Sequence, residues 1–588
     1  MKRKSRGTMS LADQRAGRPR AHGSAQALAA LLGGVAALVA PLVSAFAASA
    51  PSLPGAVEPG HERPLPPAAP ESNYDFTIET PHRSPVPRAV DELRFELKDI
   101  VINGATVFPP ETLKPLWAPL IGKQVGLSDI LTIADEIEAK YHQAGYIISR
   151  AYVPPQHVGN GVFTINVVEG YVSGVAVEGG DPGIHNLIAG YLQPVLRQQP
   201  LDAGSMERAL LLANDLPGVQ VSGLLRPSPD RPGASDLVAT VDQTPFTGGL
   251  GIDNRGSRFT DVWTLSGDVE WNSPLGDGDQ LAANIQMAPD DPGQRVQGQA
   301  HYQHPVGTNG MLGSMNVVVA HGVPSGLGNN VVTDSLAAGP RLTYPILRSR
   351  AENLSIDGGF TYQDAEIDFG GATLSHDHWR VADIAAIYSQ NGFWNGATNA
   401  TFDVAQGIPG LGASANGSRT LSRPGAHTDF TKLTAALRRV QTVYGPVSFS
   451  LIGQGQYSFD PLVAGEQITF GGMGSGTITS VGRGYDPSAI TGDHGVGGSA
   501  ELRYDKRFGD FVVQTVEPYV FYDTAKIWNR LSNTGSGQAL ASTGLGVRIT
   551  LPYNITGDFE FVRTLKAVSG SDDGHKTSKL LVNAAVRF

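Results

Sequence analysis

The C-terminal segment of the chain alternates in side-chain character up to the final residue, Phe588. One face of this predicted strand is wholly apolar and the other is mixed: the first carries Leu580, Val582, Ala584, Val586 and Phe588, and the second carries Leu581, Asn583, Ala585 and Arg587. Such a strand can present one face to lipid and the other to a polar lumen. The segment therefore predicts a membrane β-barrel that closes on its last strand.

The composition is typical of a β-rich chain with many turns. The 588 residues include 72 glycines, and only 17% of the residues are charged. Cysteine is absent, which excludes disulfides, thiolate metal sites and a cysteine nucleophile. The net charge of −11 offers no general basic character, so we expect no nucleic-acid partner. Because the motifs of metalloproteases, nucleotide-binding loops and serine hydrolases are missing, we predict no enzyme activity and no cofactor.

The N-terminus has the pattern of an export signal. Residues 1–20 carry seven basic side chains against one acid, and residues 25–50 carry no charge. A basic segment followed by an apolar one is typical of a signal peptide, and Ala45 and Ala47 provide small residues for cleavage. We predict a signal peptide over residues 1–47, with a retained transmembrane anchor as the alternative.

The next region is rich in proline. Ten prolines lie between residues 51 and 87, and each of them restricts φ and removes a backbone donor. We predict an extended linker over residues 48–92.

Two units of similar order follow the linker, over residues 93–169 and 170–245. Both are predicted to have the order β-α-α-β-β, which favours small α+β domains with helices on one face of a sheet. In the first unit, residues 127–144 have helical periodicity, with Ser128 as the predicted N-cap and Gly145 as the left-handed terminator. Each sheet is expected to have an open edge.

Residues 246–588 consist of short alternating segments separated by Gly, Asn, Asp and Pro. The region spans 343 residues, and at about 20 residues per strand with its connection it predicts a transmembrane antiparallel β-barrel of about 16 strands. A soluble β-sandwich or propeller is the alternative, but the export signal and the terminal strand disfavour it.

The segment Gly145–Gly179 resembles the polypeptide-transport-associated (POTRA) domain of two-partner-secretion transporters, the haemolysin secretion/activation protein family of Gram-negative outer membranes. Ile252–Thr260 also resembles the first barrel strand of that family. The resemblance implies a cell outer-membrane protein in which two periplasmic POTRA domains precede a 16-stranded barrel. It further implies that these domains receive an unfolded secreted partner protein of the haemolysin or adhesin type, since an extended client can add a strand to an open sheet edge.

A glycine-rich segment, Gly471–Tyr504, resumes strand alternation only near Ser499 and predicts a long loop. Within it, Arg483, Gly484 and Tyr485 match the Arg-Gly-aromatic motif of the family's lumenal loop. By resemblance, this loop folds back into the barrel, where its arginine meets an aspartate on a nearby strand.

The strand motif that would receive Arg483 is Phe521–Tyr522–Asp523. Asp523 shares a strand face with Glu517, and this face is predicted to be lumenal because a carboxylate that faces lipid is costly. We expect a charge-assisted contact between Arg483 and Asp523, with Phe521 and Asp523 as the docking residues of the strand. Its expected role is to hold the loop in a transport-competent position; the alternative is that it only stabilises the barrel.

Two further features differ from the pattern of the family. Gly482 stands where many relatives have valine, which predicts looser docking of the loop. Relatives often place an N-terminal helix in the pore, but the proline-rich segment 48–87 offers no obvious helix, so we do not predict one.

His376 and His378 could face one way and bind a metal, but no third ligand is evident nearby, so we predict polar residues of a loop or strand end and no metal site.

The predicted function is export of a large secreted partner protein through an outer-membrane pore without ATP, driven by folding of the partner outside. The other expected partners are outer-membrane lipid and the outer-membrane assembly machinery, which would receive the aromatic C-terminus. An insertase for other barrels and a passive porin or receptor are the alternatives.

Overall fold

The structure, a computed structural model of the 588-residue chain, describes most of the sequence from residue 94 onward and two short segments before it. The described residues are 55–61, 75–79, 94–158, 160–229, 231, 233–327, 330–472, 481–509, 512–531, 537–568, 571 and 574–588. The predicted signal peptide, residues 1–47, lies outside them. Among the described residues, no helix is both long enough and apolar enough to cross a membrane.

Two parts of the predicted linker 48–92 fold against the rest of the chain. A 3₁₀ turn over Gly55–Val57 begins a segment that lies inside the barrel, where a Cβ added at Gly60 would come within 2.8 Å of the buried Trp379 ring. Strand β1 (Asp75–Ile78) joins the sheet of the second unit. These parts differ from the expected extended linker because the stretches between prolines still contain residues that can be buried.

The first unit packs its helices on a small sheet. Its elements are β2 (Phe95–Glu96), β3 (Asp99–Asn103), α1 (Pro110–Leu113), β4 (Gln124–Val125), α2 (Leu127–Gln143), β5 (Arg150–Tyr152) and β6 (Val162–Val168). The sheet has the order β3-β6-β5, and β2 pairs separately with β4. Ile133 and Tyr141 of α2 pack with Phe163 of β6 in one buried cluster, which joins the helix to the sheet.

Helix α2 begins at Leu127, at the start of the predicted segment 127–144, but Ser128 is not its N-cap. Gly126 is the N-cap residue, and its N–H donates to the Asp129 carboxylate over 2.7 Å. Ser128 therefore lies in the first turn instead of at the N-cap, because Asp129 satisfies the free N–H from the third helical position. At the other end Gly145 has a φ of 95°, which confirms the predicted left-handed terminator.

The second unit has the order β-α-α-β-β and a larger sheet than the first. Its elements are β7 (Tyr171–Gly179), α3 (Pro182–Leu192), α4 (Ala203–Asn214), β8 (Val219–Pro227) and β9 (Ala234–Gln243). The sheet has the order β1-β8-β9-β7, in which β8 and β9 are antiparallel and β1 is parallel to β8. Asp215, directly after α4, is 2.6 Å from the guanidinium of Arg348 in the barrel wall, so this unit is tied to the barrel by an ion pair.

The remaining strands form a closed antiparallel barrel, apart from a hairpin in one loop. Their bounds are β10 (Phe246–Asp253), β11 (Thr264–Asn272), β12 (Gln280–Met287), β13 (Arg295–Val306), β14 (Met311–Gly322), β15 (Val331–Arg348), β16 (Glu352–Phe369), β17 (Ala372–Asn391), β18 (Gly396–Gly407), β19 (Thr431–Tyr444), β20 (Val447–Ser458), β21 (Ile468–Phe470), β22 (Ile490–Gly492), β23 (His494–Tyr504), β24 (Lys506–Arg507), β25 (Thr515–Trp528), β26 (Ala539–Leu551), β27 (Ile555–Thr564) and β28 (Ser578–Arg587). The loop hairpin is β21–β22, and β28 closes the barrel against β10. With β24 counted as a continuation of β23, the described residues form the 16 strands that were predicted.

The terminal strand has the two faces that its sequence predicts. Leu580 and Phe588 are 62% and 75% exposed on the outer surface, whereas Leu581 is only 7% exposed on the lumenal side. The same alternation occurs in β25, where Tyr522 faces outward and Asp523 is buried. An apolar outer surface and a polar inner one are what a bilayer requires of a barrel. The predicted fold class, α+β domains followed by a transmembrane β-barrel, is confirmed.

Candidate functional site

The long connection between β20 and β23 enters the barrel lumen. Its hairpin pairs Phe470 with Ile490, and Phe470 then packs against β23, where a Cβ added at Gly495 would come within 3.0 Å of the Phe470 ring. Strand β23 starts at His494 and not near Ser499 as predicted. Its first glycines belong to the strand, because they leave the space that the lumenal loop occupies.

Arg483 and Asp523 form the central contact of this loop. The guanidinium donates to both carboxylate oxygens, from Nη2 to Oδ1 over 3.0 Å and from Nε to Oδ2 over 3.2 Å. The backbone N–H groups of Gly482 and Arg483 also donate to Oδ2, over 3.2 and 3.0 Å. Both side chains are buried. The structure thus brings together the arginine and the aspartate that the resemblance pairs.

Two further carboxylates, Glu501 on β23 and Glu560 on β27, contact the same guanidinium. Arg483 Nη1 donates to them over 3.0 and 3.1 Å. The Phe521 ring covers the flat face of the guanidinium, with its centroid 3.4 Å from Cζ. Sequence reasoning missed both glutamates. The alternation of β23 could have placed Glu501 in the lumen, but nothing in a single sequence indicates that β27 lies beside the loop.

A second arginine, Arg548 on β26, balances part of the negative charge around Arg483. Its Nη1 lies 2.8 Å from Glu501 and 2.6 Å from Glu517. Buried carboxylates are tolerated only when cations and hydrogen-bond donors surround them. The cluster is therefore a network of shared ion pairs in which the lumenal loop contributes Arg483 and the wall strands contribute Arg548 and the carboxylates.

Arg255 also joins the network, from a position that was predicted differently. The segment Ile252–Thr260 was expected to be the first barrel strand, but β10 ends at Asp253. Asn254 still pairs with β28 through its N–H, and beyond it Arg255 turns inward, with Nη2 3.0 Å from Glu560. Electrostatic attraction to the buried carboxylates explains why the Arg255 side chain points into the lumen although Arg255 lies just past the end of the strand.

Glycines on both sides of Arg483 shape the tip of the loop. Gly482 and Gly484 have φ values of 97° and 92°, which are strained for other residues. A Cβ added at Gly484 would also come within 2.7 Å of Val562 Cγ1. Gly482 also contacts the wall directly, because its N–H donates to Asp523. The expectation that a glycine at this position loosens the docking stays a prediction.

Tyr485 adds an uncharged anchor to the motif. Its buried hydroxyl lies 2.7 Å from the Ala541 carbonyl and 2.8 Å from the Lys566 carbonyl. Because a hydroxyl has one proton, it donates to one of them at a time. The loop tip is thus held to the wall at two points, one ionic and one neutral.

Asp493, between β22 and β23, holds the outer part of the same loop. It is fully buried and accepts hydrogen bonds from Arg423 Nη1 over 2.6 Å and from the Leu462 and Arg530 N–H groups over 3.0 and 2.8 Å. Burial alone would raise the pKa of Asp493, but the bond to Arg423 and the backbone donors outweigh it and lower that pKa. The charged carboxylate therefore links the three connecting segments that contain Arg423, Leu462 and Arg530. Sequence reasoning did not identify Asp493.

His376 and His378 lie within strand β17, where Asp364 of β16 is directly opposite His378. His376 Nε2 is 2.9 Å from one Asp364 oxygen, and His378 Nδ1 is 2.7 Å from the other. The missing third ligand thus comes from the neighbouring strand, which a single sequence does not reveal. The three donor atoms lie within 4.8 Å of one another and could hold a divalent metal, although here they contact each other.

Two family models match the chain. The model described as haemolysin secretion/activation protein ShlB/FhaC/HecB matches residues 233–549, more than half of the sequence. The model described as POTRA domain, ShlB-type, matches residues 95–170.

Individual proteins are similar over most of their length. The chain is 25% identical over 484 residues to the hemolysin transporter protein HpmB of Proteus mirabilis, which covers 79% of this chain and 82% of that protein. The structure of CdiB from Escherichia coli matches with a TM-score of 0.67 and 22% identity over 87% of this chain and 93% of that one. CdiB from Acinetobacter baumannii matches with a TM-score of 0.58 and 17% identity over 95% and 98%. These two structures support the fold. The chain is an outer-membrane protein with periplasmic N-terminal domains, and it belongs to the haemolysin secretion/activation protein family, ShlB/FhaC/HecB.

Proposed function

We propose that this protein exports a large secreted partner protein across the outer membrane in unfolded form. The family supports transport, since relatives carry the names hemolysin transporter and outer membrane transporter. The partner would be captured in the periplasm by strand addition to the POTRA domains and would then pass through the barrel lumen. In this proposal the protein is a pore and not an enzyme.

The observation that carries the proposal is a lumen filled by segments that are not part of the wall. The loop tip is held there through Arg483 and Tyr485, and residues 55–61 lie beside it, with Gly55 packed against Ser488 and Thr491. A polypeptide can pass only if these segments move. Side-chain contacts can be broken without unfolding the barrel, whereas the strand ladders of the wall cannot.

We assign Arg483, Gly484 and Tyr485 the role of holding the loop in a transport-competent position, with Phe521 and Asp523 as the receiving side. Their contacts support this role because all of them join the loop to the wall. A purely structural ion pair would more simply join two neighbouring strands, as Arg341 and Asp357 do.

Transport in this compartment would draw its energy from the partner. Folding of the partner outside the cell would prevent its return and so bias movement in one direction. The exposed apolar belt, which includes Leu580, supports contact with outer-membrane lipid. The exposed C-terminal Phe588 is proposed to be the residue that the outer-membrane assembly machinery receives.

Deletion of residues 93–244 tests the proposal. The shortened chain should insert as a heat-modifiable barrel but should leave the co-expressed partner protein inside the cell, as measured by immunoblot of the medium. Undiminished secretion would contradict capture by the POTRA domains. If loss of the whole protein lowered the amounts of other outer-membrane barrels, the insertase alternative would be favoured instead.

A further inference from the structure

The tip of one barrel hairpin carries a cluster of side chains that can bind a metal. Strand β10 begins directly after the second POTRA domain, on the periplasmic side, and the following strands alternate in direction. By this alternation β16 ends and β17 begins on the extracellular side, where residues 370 and 371 connect them. Asp364 of β16 and His376 and His378 of β17 therefore lie close to an extracellular tip.

These three side chains point outward, above the lipid. Asp377 and Trp379 alternate with the histidines in β17 and are buried on the lumenal side. On the outward face of β16, Glu366 and Asp368 continue beyond Asp364, and carboxylates are too costly to face hydrocarbon. The side chains of the three cluster residues are 26–33% exposed, so an ion in the surrounding water can reach them.

The donor atoms of the cluster converge. Asp364 accepts two contacts, one from His376 Nε2 at 2.9 Å and one from His378 Nδ1 at 2.7 Å, and the three donor atoms all lie within 4.8 Å of one another. At the usual bond lengths, the ligands of one tetrahedral zinc ion lie about 3.3 Å apart. The observed spacings bracket that value, so small side-chain rotations are enough to form a site.

The backbone of both histidines is held by the extracellular loop between β18 and β19. The His376 N–H donates to the Thr420 carbonyl over 2.7 Å, and the Ser414 N–H donates to the His378 carbonyl over 2.8 Å. Across the hairpin, Asp364 and His378 are directly opposite each other in the strand ladder. Because all three ligands stand at fixed strand positions, binding an ion needs little further ordering.

Simple ion pairing accounts for this cluster less well than a metal site does. The two imidazole rings lie with their centroids 4.0 Å apart, so protonation of both would place two like charges side by side against one carboxylate. A metal ion instead accepts a lone pair from each ring and is balanced by the carboxylate. On the other side of His376, Glu366 Oε1 lies 3.9 Å from Nδ1, in the position from which an outer carboxylate orients a metal-bound imidazole.

We propose that Asp364, His376 and His378 form a binding site for a divalent transition-metal ion that enters from outside the cell. Two imidazoles and one carboxylate favour Zn²⁺ and its neighbours over Ca²⁺ and Mg²⁺, which prefer oxygen ligands. Three protein ligands leave the fourth position to water. The bound ion would clamp β16 to β17 above the membrane, a role independent of the proposed export function.

Titration of the full chain with Zn²⁺ tests the site. The protein, purified through a tag that contains no histidine, is titrated in detergent by isothermal calorimetry. We expect saturable binding of one ion that excess Ca²⁺ does not displace. The variants His376→Asn, His378→Asn and Asp364→Asn should each lose this binding, while heat-modifiable migration on a gel shows that their barrels have folded.

The matched control is His321→Asn. His321 Nδ1 lies 2.7 Å from Asp334 on the same outer surface, but this pair supplies one imidazole where the proposed site supplies two. The control variant should bind Zn²⁺ as the unmodified chain does. Loss of binding in the control as well, equal binding by all the variants, or no saturable binding by the unmodified chain would overturn the proposal.

Hydrogen exchange tests the clamp separately. Zn²⁺ should slow amide exchange between residues 364 and 378 of the unmodified chain and leave the amides around His321 unchanged. The same addition should have no effect on the His378→Asn variant. Unchanged exchange in the hairpin of a chain that has bound its ion would contradict the clamp.

Discussion

The lumenal loop and strand β1 are both segments docked on another part of the molecule, but different interactions hold them. The loop tip depends on the buried guanidinium of Arg483 and its bonds to Asp523, Glu501 and Glu560. Strand β1 depends on main-chain bonds to β8 and on two half-buried side chains. The contact of the loop tip is directional, and it is lost when the single side chain of Arg483 is removed. The contact of strand β1 tolerates many sequences, because every residue except proline supplies the same backbone donor and acceptor.

This difference matches what each region is proposed to do. The lumenal loop must return to one docked arrangement, which a network of buried charges specifies well. A sheet edge that captures the partner, as proposed for the POTRA domains, must accept a segment of variable sequence. Backbone pairing permits this. The predictions below test whether the two regions differ in this way, beginning with the largest expected effect.

Arg483→Ala should release the loop tip and leave three carboxylates without their shared cation. Removing one partner of a buried ion pair costs about 3–5 kcal/mol, so most secretion of the partner should be lost. The measurement is the partner protein in the medium, with barrel insertion followed by heat-modifiable migration on a gel.

The matched control is Arg341→Ala. Arg341 is also buried and pairs with Asp357 and Asp383, but all three belong to the barrel wall. This variant should lower the temperature at which the barrel band shifts and still secrete the partner. Equal loss of secretion by both variants would mean that Arg483 acts through barrel stability alone.

Asp523→Asn should have a smaller effect than Arg483→Ala. The amide keeps the volume and an acceptor for the Gly482 and Arg483 N–H groups, while Glu501 still faces the guanidinium. Loss of a charge-assisted hydrogen bond costs about 1.5–3 kcal/mol, so secretion should fall to an intermediate level. A defect as complete as that of Arg483→Ala would contradict the sharing of charge among three carboxylates.

Phe76→Ser should weaken the edge strand without disturbing the lumen. Because the ring is half-buried, its loss should cost about 1–2 kcal/mol, well below a core truncation. Hydrogen exchange of the full chain should show faster exchange across Val219–Pro227 and no change in the loop near Arg483. Asp75→Ser, at an exposed position of the same strand, is the control and should leave both regions unchanged.

Lowering the pH should reduce the hydrogen-exchange protection of the lumenal loop and leave that of strand β8 unchanged. The pKa of Asp493 lies below the ordinary aspartate value of 3.8, so its stabilising charge is fully present above that value and is lost as the pH falls through the lowered one. Loop amides should keep their protection from pH 8 to about 5 and lose it below about 4. Asp493→Asn should remove this acid step, and an identical step in β8 would contradict the contrast.

Alternation in the sequence predicted which face of a strand is lumenal, and it did so at both Leu581 and Asp523. It succeeds there because lipid on one side and polar lumen on the other impose a period of two on every wall strand. It could not predict that Glu560 and Arg255 meet Arg483 and its network. Those residues come together only through the order of strands around a closed barrel, and that order is not a local property.

The proline-rich region shows even more clearly than the barrel what local sequence patterns cannot predict. Proline content predicted an extended chain, which is correct for the backbone of β1. It could not reveal that Phe76 would find the open edge beside Gly223, because pairing with a strand far along the chain depends on where the second domain presents that edge.

By itself, the sequence determined the class of protein, the two-faced strands, the repeated domains and the charged tip of the loop, since these follow from local periodicity, composition and short motifs. Only the tertiary structure decided which carboxylates share Arg483, that Asp364 lies beside two histidines, and that the linker covers the edge of β8. These arrangements depend on barrel closure, strand register and the meeting of distant segments, whose energies no local pattern contains.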